Sequence, residues 1–154
     1  MAARKYNRIV QAGICYRSSR AVREGVKFIA DGKLGKVYMA KGLVYSYRRT
    51  IEHTPDSHIP EGVNWDRFLG PAQYRPFNEN RYIYNWHWMW DTGTTEFGNN
   101  GIYRMDACRW AFGKDTHPVK VSCTGGKFGR YDDQEAPNTL ISALQYEDGV
   151  IIQD

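Results

Sequence analysis

Residues 85–113 read NWHWMWDTGTTEFGNNGIYRMDACRWAFG, an aromatic cluster that runs into a segment of helical period. Taken as an α-helix from about Glu96 to Phe112, the segment places Asn99, Tyr103, Asp106 and Trp110 along one stripe. The adjoining stripe holds Gly98, Gly101, Ile102, Met105, Cys108 and Phe112, small and apolar residues suited to packing on a sheet. The pattern predicts a helix that buries one side and offers the other to something polar. If residues 86–90 are extended, Trp86, Trp88 and Trp90 share a face, with His87 opposite. Such a row of indoles serves either as a platform for sugar C–H faces or as core packing.

Working outward toward the N-terminus, Arg48 to Val63 is polar, contains Pro55 and Pro60 and has no period, so it reads as a long loop, functional or disordered. His53 and His58 lie in it without the carboxylate or cysteine spacing of a metal site, and no metal is expected. Lys36 to Tyr47 alternates as a long strand with two fairly apolar faces. Ser18 and Ser19 are candidate N-caps for a helix through Ala30, with Val22, Val26 and Ile29 on its apolar face and Gly32 suited to the left-handed C-cap. Arg8 to Cys15, RIVQAGIC, reads as a buried strand. Asn64 to Leu69 predicts a short helical turn, closed by Gly70-Pro71, and Tyr74 to Tyr84 is irregular.

Toward the C-terminus, Val119 to Lys127 and Asn138 to Tyr146 predict strands, joined by an acidic loop from Phe128 to Pro137. Glu147-Asp148-Gly149 predicts a hairpin turn. A sheet that stops at Asp154, a few residues into the returning strand, exposes an unpaired edge, so both ends are expected to be cut from something larger.

The 154 residues, 42% of them hydrophobic, suffice for one domain with a real core. The net charge of +4 comes from scattered Lys and Arg with no run of like charge, which argues against a nucleic-acid partner. Three widely spaced cysteines, Cys15, Cys108 and Cys123, fit neither a disulfide framework nor a CxxC motif. No run reaches the roughly 18 apolar residues of a membrane span. The start MAARKYNRIVQ lacks a signal-peptide core, but a processed or missing N-terminus would hide one, and localisation stays open.

Five segments in order, RIVQAGICYRSS, FIADGKLGKVYMAKG, GVNWDRFLGPAQYRPFN, residues 86–113 and GGKFGRYDDQEAPNTLISALQYEDG, closely resemble the Gfo/Idh/MocA family of NAD(P)-dependent oxidoreductases. The resemblance implies an α+β fold: a large, mostly antiparallel open sheet with helices on one face, the family's C-terminal domain. It implies that residues 1–17 are the remnant of the last Rossmann strand and its loop. Residues 18–154 are then the substrate and oligomerisation domain, truncated at its C-terminus. The family's Gly-rich nucleotide fingerprint and Glu-Lys-Pro motif have no match in this sequence, so a chain of this extent is expected to be inactive alone.

The resemblance also assigns candidate roles. Gln11, Gly13 and Arg17 fall where the last Rossmann strand meets the nicotinamide of NAD or NADP, and Arg17 also where it meets substrate; the alternative for Arg17 is a surface salt bridge. The family's Asp and, four residues later, proton-accepting His match Asn99 and Tyr103 here, the candidate catalytic pair. The departure matters, because an amide cannot ionise and a free tyrosine has a pKa near ~10. Asp106 matches a frequent family Asp and is a substrate-binding candidate with Trp86 and Trp88, or else a helix-surface carboxylate. The expected activity is hydride transfer from a sugar or polyol hydroxyl, with a homo-oligomer formed through the sheet and no membrane partner. The alternatives are NAD-dependent glycoside cleavage and a non-catalytic sheet domain for oligomerisation or carbohydrate binding.

Overall fold

The C-terminal hairpin sets the frame of the sheet. Gly149 holds φ at +84°, a left-handed conformation open to glycine, and Tyr146 N–H donates to the Val150 carbonyl at 2.9 Å across the turn. β3 (Thr139–Gln145) and β4 (Ile151–Gln153) thereby pair antiparallel, with Leu144 opposite Ile152. β2 (Lys120–Gly126) pairs antiparallel along the other edge of β3, and β1 (Met39–Lys41) lies parallel to β4. The computed structural model, which describes residues 2–154, thus shows an open, mostly antiparallel sheet of order β1-β4-β3-β2.

The helices are α1 (Ala2–Lys5), α2 (Arg20–Ala30), α3 (Trp65–Leu69) and α4 (Ile102–Ala111). α4 covers one sheet face. Met105 meets Tyr146, Val150 and Ile152 in a buried cluster, with Cys108, Phe112 and Leu144 packed against it. This is the small and apolar stripe expected for the helix, except that Ile102 is 48% exposed. Burying side chains such as Met105 and Ile152 contributes about 2 kcal/mol each. α2 packs on α4 through its half-buried Val22, Val26 and Ile29. Ser19 caps it, its hydroxyl accepting from Val22 N–H at 3.5 Å, and Gly32 follows at φ +73°.

A second cluster of Trp65, Leu69 and Phe77, with Tyr82 against it, holds the connection between β1 and α4. Asn64 caps α3 by accepting from Arg67 N–H at 2.9 Å, Gly70 ends it at φ +57°, and the Trp65 indole N–H donates to the Arg75 carbonyl at 2.8 Å.

Three expectations need correction. The strand proposed for Lys36 to Tyr47 pairs only over Met39–Lys41, because its neighbour β4 extends no further, and Tyr45 and Tyr47 stand 87% exposed. Arg8 to Cys15 is not a buried strand. Residues 8–14 carry no regular structure, and Ile9 is fully exposed, because no second strand lies beside them to complete a ladder. The helix proposed from Glu96 to Phe112 opens with a π-helical turn, Phe97–Gly101, before α4.

The long loop 48–63 is irregular, as expected, but tied down. Asp132 accepts from Thr50 Oγ1 at 3.0 Å and Ile51 N–H at 3.1 Å, and Asp133 accepts from Thr54 N–H at 2.8 Å. The Asn80 amide donates to the carbonyls of Ile51 and Glu52 and also to Asp133 at 3.1 Å.

Candidate active site

The polar stripe of α4 is met by a 3-10 turn, Cys15–Ser18. Arg17 grips Asp106 with two parallel bonds, Nε to Oδ2 at 2.8 Å and Nη2 to Oδ1 at 2.9 Å, and its guanidinium lies 5.2 Å from the Trp110 ring. The hydrogen bond to Asp106, reinforced by its charge, holds the guanidinium pKa above its ordinary value. One residue earlier, the Tyr16 ring packs on Tyr103 with centroids 5.8 Å apart. The structure thus brings Arg17, Tyr103, Asp106 and Trp110 together at one surface. Arg17 and Asp106 are already each other's partners, with side chains 51% and 22% exposed.

Asn99 sits in the π turn, one helical turn before Tyr103 and beside the Glu96 carboxylate. That turn needs its small residues: a Cβ at Gly98 would fall 1.8 Å from Thr94 Oγ1, and one at Gly101 would fall 2.6 Å from the Asp154 carboxylate. Widened turns of this kind recur at functional sites, where they re-aim a side chain.

The tryptophans separate. Residues Asn85–Trp88 form a 3-10 turn, not a strand, so Trp86, Trp88 and Trp90 do not line up. Trp86 borders a shallow cleft with Phe68, Pro71 and Thr92, while Trp88 is buried and lines a different cleft beside Arg48 and Glu96. Gln11 and Gly13 lie in exposed chain, and a Cβ at Gly13 would meet nothing within 4 Å. The space around Gly13 would admit a side chain, so no close backbone approach calls for glycine there.

A polar cluster behind the π turn escaped the sequence reading. Arg48 Nη2 donates to Glu96 Oε1 at 2.9 Å, Arg48 also donates to the Tyr84 hydroxyl, and the Asn100 amide donates to Glu96. Burial pushes the Glu96 carboxyl upward, but the bonds from Arg48 and Asn100 outweigh it and hold the group below its usual range. His87 Nδ1 pairs with the Tyr84 carbonyl, which makes Nδ1 the donor and leaves Nε2 with a free lone pair. Desolvation pushes the His87 pKa down, so the ring is neutral at neutral pH. Arg48 sits where the alternating pattern gives out and carries no periodic signal. His87 was visible as a residue but not its fold back toward Glu96, which depends on the 3-10 turn.

His53 pairs with Asp133 at 2.7 Å, and no group of three His, Cys, Asp or Glu suited to a metal occurs among the described residues. No helix among them is long and apolar enough to cross a membrane.

Residues 21–153 match the family described as oxidoreductase family, C-terminal alpha/beta domain, of the Gfo/Idh/MocA group. The chain belongs to this oxidoreductase family. Among curated proteins, none matches it. The match covers the sheet, α2 and α4 and with them the Tyr103–Asp106 surface of this oxidoreductase domain, while the Arg17 turn precedes it.

Proposed function

We propose that the domain forms the substrate side of an NAD(P)-dependent oxidoreductase acting on a sugar or polyol hydroxyl. The observation that supports this reading is the packing of the 15–18 turn on α4, which sets Arg17 beside Tyr103 and Asp106. The surface offers a phenol, an amide and a carboxylate–guanidinium pair, a donor and acceptor set suited to vicinal hydroxyls. Tyr103 relays the hydroxyl proton, accepting it as the phenol passes its own proton on to solvent, while the carbonyl forms and the hydride leaves to the cofactor, and Asn99 orients the hydroxyl by hydrogen bonding without itself changing charge. Asp106 holds a neighbouring hydroxyl, and Arg17 fixes the Asp106 carboxylate in place. NAD or NADP supplies the hydride acceptor, held by a dinucleotide-binding domain and not by the residues described here; alone, this chain is inactive.

Kinetics of the enzyme carrying both domains test the assignment. Tyr103→Phe is expected to lower kcat about 100-fold or more while KM changes little. An unchanged kcat removes Tyr103 from the proton transfer.

A further inference from the structure

A cavity of about 360 Å³ opens between the long loop 48–63, residues 75–81 and the connection between β2 and β3, and it shares no residue with the α4 surface. That volume lies within the roughly 300–1,000 Å³ of small-molecule sites, but the walls are unusually polar: buried Met89 is the one apolar residue among them. Two ion pairs dominate the rest. Arg81 Nη1 donates to Asp56 Oδ1 at 2.9 Å, and Arg75 Nη2 donates to Glu135 Oε1 at 2.7 Å. The pairs lie close enough to feel each other. Asp56 is held below its usual range by its bond from Asn78 and then by the charges of Arg81 and Arg75. Burial pushes Glu135 up, but the bonds from Arg75 and Trp90 N–H and the charges of Arg75 and Arg81 bring it below its range.

Both pairs are anchored from behind. The buried Asn78 amide donates to Asp56 Oδ1 at 3.1 Å and to the Thr54 carbonyl at 2.6 Å, and Glu135 Oε2 accepts from Trp90 N–H at 3.0 Å. Arg75 Nη1 reaches Asp91 at 3.3 Å, and Arg81 Nη1 also reaches the Pro76 carbonyl at 3.1 Å. Side chains held in this way have little freedom left to lose when a ligand arrives. With these bonds made, Arg75 Nε, Arg81 Nε and Nη2 and Asp56 Oδ2 have no partner among the described residues. The cavity is thus bordered by charged donors on two arginines and a charged acceptor on Asp56.

Charge selects what such a cavity takes. An anion would meet three carboxylates, Asp56, Asp133 and Glu135, and a cation would meet two guanidiniums. The oxygens of Asp133 and Glu135 are, besides, already engaged by His53, Thr54, Asn80, Arg75 and Trp90. An apolar molecule would take water from the guanidiniums and return no hydrogen bond. A hydroxyl meets none of these penalties: it donates to a carboxylate and accepts from a guanidinium N–H at once, in charge-assisted bonds. We propose that the cavity is a binding site for a neutral monosaccharide or polyol, with one hydroxyl between Asp56 Oδ2 and Arg81, a neighbouring hydroxyl on Arg75 Nε and C–H groups toward Met89. It is separate from the Tyr103–Asp106 surface and does not depend on the role given to that surface.

Heteronuclear spectra of the chain titrated with methyl α-D-glucopyranoside test the site, with sodium acetate and methylammonium chloride as charged probes at matched ionic strength. The glucoside is expected to give saturable shifts, at roughly millimolar Kd, in the Nε–H signals of Arg75 and Arg81 and the side-chain amides of Asn78 and Asn80. Asp56→Asn and Arg81→Gln are each expected to weaken binding about tenfold and to leave the signals of Tyr103 and Asp106 as they were. Asp56 is half-exposed, so Asp56→Asn carries the test even if Arg81→Gln disturbs the fold. Absence of saturable shifts at the four groups, which leaves the cavity to water, overturns the proposal. So does undiminished affinity in Asp56→Asn, or tighter binding of acetate or methylammonium at the same groups. Saturable shifts at Tyr103 and Asp106 with none at the cavity overturn the second site alone and leave the α4 surface standing.

Discussion

Asp132 is where the long loop 48–63 is fastened to the connection between β2 and β3. Its side chain is fully buried, paired with Lys127 Nζ at 2.7 Å and bonded to Thr50 and Ile51. Burial drives the carboxyl pKa upward, yet the Lys127, Ile51 and Thr50 bonds outweigh it and leave it below the ordinary range. A folded-state value below the unfolded one means that the stabilisation is complete above about pH 4 and is lost as pH falls through the lowered value. Asp133, also depressed, acts in the same window: burial pushes it up, and the Thr54 N–H, His53 and Asn80 bonds override. Asp132→Ala strands the Lys127 charge and is expected to cost about 3 kcal/mol in urea unfolding at pH 7. Its stability is also expected to depend less on pH below 4 than that of the unsubstituted chain. Equal stability at pH 7 would mean that the loop is held by other contacts. None of this was legible in the sequence. Asp132 and Asp133 read only as part of an acidic loop, because the Thr50 and Thr54 groups they hold lie about 80 residues away along the chain.

Helices and strands were legible in proportion to how locally they are determined. α2 follows from Ser19, its apolar spacing and Gly32; the β3–β4 hairpin follows from Asp148-Gly149 between alternating runs. The strand at Lys36 to Tyr47 was over-read because alternation states what a strand would bury, not whether a neighbour exists to pair with it. The tryptophan row failed for the complementary reason, since a 3-10 turn and a strand can share one short aromatic sequence. Of the site, the stripe on α4 was readable from helical spacing, whereas its cover by Arg17 and the cluster at Arg48 and Glu96 depend on long-range packing. Two glycines separate local helix preference from tertiary constraint. Gly25→Ala in α2, where a Cβ meets nothing within 4 Å, is expected to raise stability by about 0.5–1 kcal/mol. Gly98→Ala in the π turn, where a Cβ falls 2.7 Å from Thr94 Cβ, is expected to cost about 1–3 kcal/mol and to shift the backbone resonances of Asn99 and Tyr103. Thermal unfolding with backbone spectra checks both; a stabilised Gly98→Ala would show that the π turn relaxes to an ordinary helix at no cost.

At the scale of the whole molecule, the sheet and α4 form a platform, and the 15–18 turn lies across the polar stripe of that helix. Helix and turn meet at Tyr103 and Asp106, which is why the proposed substrate site rests on this surface and not on the scattered tryptophans. Because no GxGxxG fingerprint occurs in this sequence, the chain alone is expected to have no saturable NAD(H) site at micromolar concentration, and fluorescence titration with NADH measures this. Heteronuclear spectra of the isolated chain titrated with myo-inositol test the central claim most directly. Saturable shifts at roughly millimolar ligand are expected at Asn99, Tyr103, Asp106 and Arg17, and weakened binding in Asp106→Ala. Shifts confined to the Trp86 cleft or to the Arg48–Glu96 cluster, with the α4 stripe unmoved, would contradict the account.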